Sequence, residues 1–447
     1  MTRSGTLPLN PTPKGEKRTF LPEGGQKEVA IIILALLVFS SFFSFSQVET
    51  GRQITQELCS EKYFGRGYIK NGDSLAAEYL ASEFEKRGLK KIKGSWFQSF
   101  SFDVNTFPAE MEIKFDEKIL QPGVDYLIDP ASGSMHGSWR YRLLTEKEVF
   151  DEEYMKKLLY DIRGEKSWNS LVIDTRNMKG DSLKEMRSLQ DALARMIHVM
   201  LITDEKFTFS VADEQLPFAL VKIHGSAFEK EALLQTKITA VLKKQHNARN
   251  VLACLPAKKR TKKTLFITAH YDHLGGMGSE TYFPGGNDNA SGTSMLFALA
   301  DEFKRGPLKF NVVFIAFAGE EAGLLGSKYY VDHPLVKEKR LHFVLNLDIM
   351  GSGEDGITVV NATEFPELFE KLNAVNEQHK LLAQVKKRGK AANSDHYWFS
   401  EKGFPAFFIY TMGPNKNYHD VFDTYEALSF NEYNDLVKLI SGFLRSF

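Results

Sequence analysis

Five short segments of this chain carry the side chains that could do chemistry. They are His270-Tyr271-Asp272, the turn Gly285-Gly286-Asn287-Asp288-Asn289, Gly319-Glu320-Glu321, Asp348 and Tyr418-His419. Imidazole nitrogens and carboxylate oxygens without a thiolate form a borderline-hard donor set, which suits Zn²⁺ first and Mn²⁺ or Co²⁺ next. Two imidazoles and three carboxylates divide into one bridging carboxylate and two terminal pairs around two ions ~3.5 Å apart, leaving room for a shared water. Taken singly, each residue is a weak sign, because an Asp after a strand more often caps a helix or faces solvent. Their recurrence at successive strand ends, beside Gly-rich turns that let backbones approach closely, is the stronger sign.

The elements that must position these groups can be read from hydrophobic patterning. Asn250–Leu255 and Thr264–Ala269 read as strands, followed by a helix over Ser291–Lys304. Asn311–Ala318, Phe343–Leu347 and Ala406–Tyr410 are near-continuous apolar runs, as expected of strands covered on both faces. Strands alternating with helices predict a three-layer α/β/α sandwich around a mixed, largely parallel sheet. In such sheets ligands gather beyond the carboxyl ends of the strands, where the polar segments lie. Upstream, Leu75, Ala76, Tyr79, Leu80 and Phe84 bury one face of a helix over Asp73–Arg87, and Gly88 is a plausible stop.

The motifs Ala269-His270-Tyr271-Asp272-His273, Asn287-Asp288-Asn289-Ala290-Ser291-Gly292, Gly319-Glu320-Glu321-Ala322-Gly323-Leu324-Leu325-Gly326-Ser327, Asn346-Leu347-Asp348 and Tyr418-His419 resemble those of metallopeptidase family 28. These are zinc aminopeptidases with two co-catalytic metals, in a superfamily that also holds glutamate carboxypeptidases and glutaminyl cyclases. The match runs in order from about Thr264 to Thr424. The resemblance implies that His270 and Asp348 hold one metal, Glu321 and His419 the other, and that Asp288 bridges them. It further implies that Asp272 accepts the second ring N–H of His270, and that Glu320 is the general base acting on a metal-bridging water. Tyr418 is the candidate oxyanion donor. The chain departs from the family in two places. Ala391 stands where some members place a tyrosine before the Asn393-Ser394-Asp395-His396 segment, and Asp420-Val421 stands where Thr-Pro is common.

Composition sets the outer limits. The chain has 447 residues, 57 Lys+Arg against 57 Asp+Glu, and is 43% apolar. That is a globular composition without the cationic surplus that nucleic-acid binding needs. Cys59 and Cys254 cannot form a disulfide framework; one bridge or two buried thiols are the options, thiols preferred. Residues 1–28 are polar and read as disordered. They precede Val29–Phe45, seventeen residues of which fourteen are apolar and none charged. With Ser44 and Ser46 placed for a signal peptidase, 29–46 reads as an export signal cleaved after Ser46, with a retained membrane anchor as the alternative. The expected localisation is therefore periplasmic or extracellular.

The catalytic domain is expected over 47–100 and 246–447. It is interrupted at 101–245 by an inserted α/β domain, at a place where some family members carry a protease-associated domain. The insert holds no cluster of metal-ligand residue types. The basic run Lys258–Lys263 reads as a solvated turn. The main expectation is an exported, zinc-dependent aminopeptidase acting on peptides, with membrane contact only through a retained anchor. A dipeptidase or carboxypeptidase of the same superfamily is one alternative. A glutaminyl cyclase is another, although the Trp-containing stretch such enzymes commonly carry after the Glu-Glu pair is absent. A non-catalytic receptor ectodomain would be expected to lose a ligand or the base, and none is missing.

Overall fold

Side chains alternate between two separate cores along the central parallel strands. Leu265, Ile267 and Ala269 pack with Val312, Phe314, Ala316, Phe343, Leu345 and Leu347 on one side of the sheet. Phe266, Val313, Ile315, Phe317 and Val344 pack on the other. Each fully buried side chain of this kind contributes about 1.5–3 kcal/mol. Both faces are apolar, so both must be covered, and the strands read as unbroken hydrophobic runs rather than alternating ones.

In this computed structural model, residues 47–162, 164 and 168–447 are described. The expected polar lead and the export signal or anchor lie outside them. No helix among the described residues is long and apolar enough to cross a membrane. The central sheet has eight strands, in the order Phe97–Thr106, Val241–Leu255, Asn311–Phe317, Thr264–His270, Leu341–Asp348, Ala406–Thr411, Ile357–Val360 and Val385–Lys387. The four strands from Asn311–Phe317 to Ala406–Thr411 run parallel; Val241–Leu255 and Ile357–Val360 flank them antiparallel. Helices 47–58, Gly72–Lys86, Gly292–Arg305, Pro366–His379 and Tyr433–Arg445 cover the first face. Leu325–Asp332 and His396–Glu401 cover the second through Tyr330, Val331 and Phe399. The expected sandwich around a mixed sheet is what forms. Cys59 and Cys254 are free thiols, and burial pushes them up to about 12 and about 11.

Positions 101 and 245, expected as the edges of the insert, lie inside two long strands that pair from Phe97↔Val251 to Thr106↔Val241 across a bulge at Phe102–Val104. The separate sheets start beyond this ribbon. A four-stranded antiparallel sheet runs Lys118–Ile119, Glu112–Phe115, Leu234–Ile238, Met135–Trp139. A five-stranded sheet runs Tyr126–Ile128, Leu220–His224, His198–Thr203, Ser170–Asp174, Tyr141–Leu144. Its outer face carries the helices Glu152–Asp161 and Asp181–Ala194. Between the two sheets, Phe115, Leu234, Met200 and Ile223 share a core with Leu274, Met277 and Phe283 of the loop that follows the His270 motif. These two sheets are therefore packed onto the loop that follows His270.

One buried histidine gives the insert a pH-dependent stability. His198 Nδ1 accepts the Ala219 N–H at 3.0 Å, with Trp139 and Phe218 edge-on to the ring. Burial lowers its pKa to about 4. Between that value and the ordinary one near 6.5, the unfolded chain holds a proton that the folded chain refuses. Stability is thus whole above about pH 6.5 and is lost as pH falls toward 4, by on the order of 3 kcal/mol. Urea midpoints measured across this window should fall more steeply in the wild type than in His198→Asn, which keeps an acceptor but no titration at this position. An identical slope in both would contradict the assignment.

Candidate active site

The turn that presents Asp288 is held by its own polar neighbours. Asn289 Oδ1 accepts the Gly292 N–H at 2.9 Å, and Asn289 Nδ2 donates to the Leu347 carbonyl at 3.0 Å. Ser291 Oγ donates to the Asn287 carbonyl and accepts the Met350 N–H, both at 2.7 Å. The buried Asp423 carboxylate accepts the Asn287 and Asp288 N–H groups at 2.9 and 3.0 Å. The turn is thereby fastened to the end of the Leu341–Asp348 strand. A Cβ on Gly292 would stand 2.1 Å from Asn289 Oδ1 and 2.8 Å from the Leu347 carbonyl oxygen, so a side chain there would have to displace the Asn289 amide from its hydrogen bonds. The Glu-Glu loop is fastened similarly, since Asn250 accepts the Ala318 N–H at 3.1 Å and donates to the Gly326 carbonyl at 2.9 Å.

Strand ends deliver the remaining groups. Thr264–His270 pairs with both Asn311–Phe317 and Leu341–Asp348, so His270, the Glu320-Glu321 loop and Asp348 emerge at one edge of the sheet. There His270 Nε2 lies 3.3 Å from Asp288 Oδ1 and 3.4 Å from Asp348 Oδ2. His419 Nε2 lies 3.0 Å from Asp288 Oδ2 and 3.3 Å from Glu321 Oε2. The two oxygens of Asp288 thus face two different imidazole–carboxylate pairs. These contacts bring the five expected ligand residues together, while Glu320 falls with His270 and Glu321, and His273 with Asp288 and Glu321, in groupings whose donor atoms lie within 4.8 Å of one another.

Asp272 departs from its expected contact. The His270 Nδ1–H meets the Asp272 backbone carbonyl at 3.1 Å, whereas the Asp272 carboxylate stands 3.9 Å away. That carboxylate instead accepts from Tyr68 Oη at 2.9 Å and from the Glu320 N–H at 3.2 Å, which ties the His270 segment to the Glu320 loop. Tyr418 is 47% exposed, and its ring stacks on His419 at 3.9 Å.

Sequence reasoning assigned no role to His273, whose Nδ1 lies 2.8 Å from Glu321 Oε1. It stood within the His270 motif, and its spacing was the available signal. Arg66 was also missed. Fully buried, it donates to the carbonyls of Leu58, Tyr271, Pro284 and Gly285 at 2.6–3.0 Å, cross-linking two of the ligand-bearing segments. Its acceptors are backbone atoms, which leave no mark in a sequence.

The electrostatics call for positive charge. Burial alone would lower the His419 imidazole, yet Glu321 and Asp288 raise it to about 11. Burial pushes Asp348 up to about 6, and Asp288 and Glu321 add to that rise against the pull of His270. Asp348 Oδ1 is buried with no hydrogen-bond partner. Crowded carboxylates, an unpartnered oxygen and imidazoles forced toward their cationic form fit divalent cations well. For Glu320, burial raises the carboxyl well above the usual range; Glu321, Asp395 and Asp348 reinforce this while His270 opposes it.

Residues 250–444 match the family model of Peptidase family M28. This segment belongs to peptidase family M28. An aminopeptidase of Bacillus subtilis (strain 168), YwaD, is 33% identical over 210 residues, covering 45% of this chain and 44% of that protein. A probable leucine aminopeptidase of Arthroderma otae is 29% identical over 204 residues, covering 43% of this chain and 56% of that protein. The chain therefore aligns with about half the length of these relatives. The fold likeness reaches further. The zinc aminopeptidase BSAP from Bacillus subtilis superposes with a TM-score of 0.65 at 18% identity, over 89% of this chain and 95% of that one. A Peptidase M28 precursor from Shewanella amazonensis gives 0.64 at 15% identity, over 91% and 95%.

Within this M28 segment, a cavity of about 640 Å³ opens beside the convergence point, lined by Asp288, Ile349, Tyr410, Met412, Asn415 and Tyr418 among others. In the segment that departs from the family at Ala391, Ser394 Oγ accepts from Asn346 Nδ2 at 2.8 Å. Asp395 is buried, with burial pushing its carboxyl up to about 7.

Proposed function

We propose that this protein is a zinc-dependent aminopeptidase holding two ions, one on His270 and Asp348, one on Glu321 and His419, with Asp288 shared between them. The observation that carries this reading is the Asp288 carboxylate, whose two oxygens lie 3.3 and 3.0 Å from separate imidazoles. The family membership of residues 250–444 supports it. Two such ions, when bound, acidify water and polarise a carbonyl.

The chain's own groups do the rest. Glu320 takes a proton from the attacking water and delivers it to the leaving amine, a role suited to a buried carboxyl whose affinity for protons is raised. Tyr418, at the rim of the cavity, offers its hydroxyl to the developing oxyanion. The cavity beside Asp288 receives the side chain of the N-terminal residue, and the domain inserted between the strands Phe97–Thr106 and Val241–Leu255 roofs the site and restricts entry to short peptides or chain ends. The apolar run at 29–45 and the small residues that follow support export.

A panel of substrates tests the reading. Coloured amine should be released from aminoacyl anilides and the N-terminal amino acid from free-amine peptides, and N-acetylation should abolish both. Cyclisation of Gln-peptides without release from any anilide would overturn it in favour of a cyclase.

A further inference from the structure

The inserted domain reaches one metal-ligand candidate directly. Phe209, in the loop after the strand His198–Thr203, brackets His419 with both of its backbone polar groups. Its N–H donates to the His419 carbonyl at 2.8 Å, and its carbonyl accepts the His419 Nδ1–H at 3.0 Å. His419 itself has φ +53°, a left-handed conformation that a side-chain-bearing residue keeps only when its surroundings enforce it. With Nδ1 engaged as donor, Nε2 is left to face Asp288 and Glu321.

The same loop holds the neighbours of His419. Lys206 Nζ lies 2.6 Å from Asp420 Oδ2 and donates to the Lys416 carbonyl at 2.6 Å. Asp420 is only 3% exposed, and its carboxylate also accepts the Tyr418 and Phe422 N–H groups at 3.3 and 2.9 Å. Val421 packs against the backbone of Gly123, also in the insert, so closely that a Cβ there would stand 2.6 Å from Val421 Cγ1. The Phe209 ring stacks on Phe283 at 4.7 Å, just ahead of the turn that carries Asp288. The departure from the family pattern at Asp420-Val421 thus coincides with the two side chains that meet the insert.

We infer that the insert completes the metal centre: Lys206 and the Phe209 backbone are positioning groups that orient His419, and through it one of the two ions. The inference rests on the two-ion reading above. A group hydrogen-bonded to the far nitrogen of a metal-bound imidazole typically changes metal affinity 10–100-fold when lost. Neither group touches substrate.

Lys206→Met keeps the methylene stem and removes both contacts of Nζ; Lys206→Arg keeps the charge. Titrating metal-free protein with Co²⁺ and following the visible absorption separates the two sites without any assay of turnover. In Lys206→Met, one equivalent should bind more weakly, by no more than the roughly 10-fold that loss of the far-nitrogen partner itself would cause, the other as in wild type, with the thermal midpoint of the metal-free protein little changed. Lys206→Arg should restore most of the loss. Two unchanged affinities, or two that weaken together along with the thermal midpoint, would overturn the inference. A wild type that takes up fewer than two Co²⁺ would instead sink the two-ion reading on which it rests.

Discussion

Glu320→Gln is expected to lower turnover by about 10²–10⁴-fold while the bound metal stays near its wild-type level. The amide keeps the volume and the hydrogen-bonding reach of the carboxyl but cannot accept and return a proton. Glu320 does not lie within ion-pair distance of His419, whereas Glu321 Oε2 stands 3.3 Å from it. The backbone of Glu320 is secured by Asp272 Oδ1 at 3.2 Å, so the exchange of side chain leaves the loop in place. The KM for a short peptide should change little, because the loss falls on the transition state rather than on binding. Mass-spectrometric metal analysis beside steady-state kinetics checks this. If metal and activity disappeared together, Glu320 would be a ligand and the roles of the pair would be reversed.

The second large effect is expected at Asp288. Asp288→Ala should release both ions and reduce activity at least about a thousandfold, because each Lewis-acid contribution is worth several kcal/mol. Its carboxylate is the only one among the described residues that forms an ion pair with both His270 Nε2 and His419 Nε2. Without it each ion would keep one imidazole and one carboxylate, too few to hold a cation against water. The turn itself should survive, since Asn287, Asn289, Ser291 and Asp423 fasten it through groups other than the Asp288 side chain. Retention of two ions by Asp288→Ala would refute the bridging role. Loss of a single ion would place Asp288 on one site only.

The layout of the site was legible in the sequence because a parallel sheet presents its strand ends along one edge. Once Thr264–Ala269, Asn311–Ala318, Phe343–Leu347 and Ala406–Tyr410 read as buried strands, the polar residues after them had to gather. Apart from the His273 imidazole, what escaped notice involves backbone acceptors and donors, which have no side-chain signature. The partner of His270 Nδ1 is a carbonyl, not the adjacent carboxylate. Arg66 acts on four carbonyls scattered from Leu58 to Gly285. The Phe209 backbone reaches His419 across 210 residues of sequence, and a phenylalanine in a loop announces nothing of the kind. The insert edges expected at 101 and 245 fall within two continuous strands for a related reason. The pattern of a strand does not change where it leaves one sheet and becomes a connecting ribbon.

Metal dependence is the most direct test of the central claim. Purified protein should carry two zinc ions per chain, lose essentially all peptide cleavage on dialysis against a chelator, and recover it when two equivalents of zinc are restored. Chelated protein, shown to be metal-free, that still cleaved peptides at the untreated rate would contradict the account.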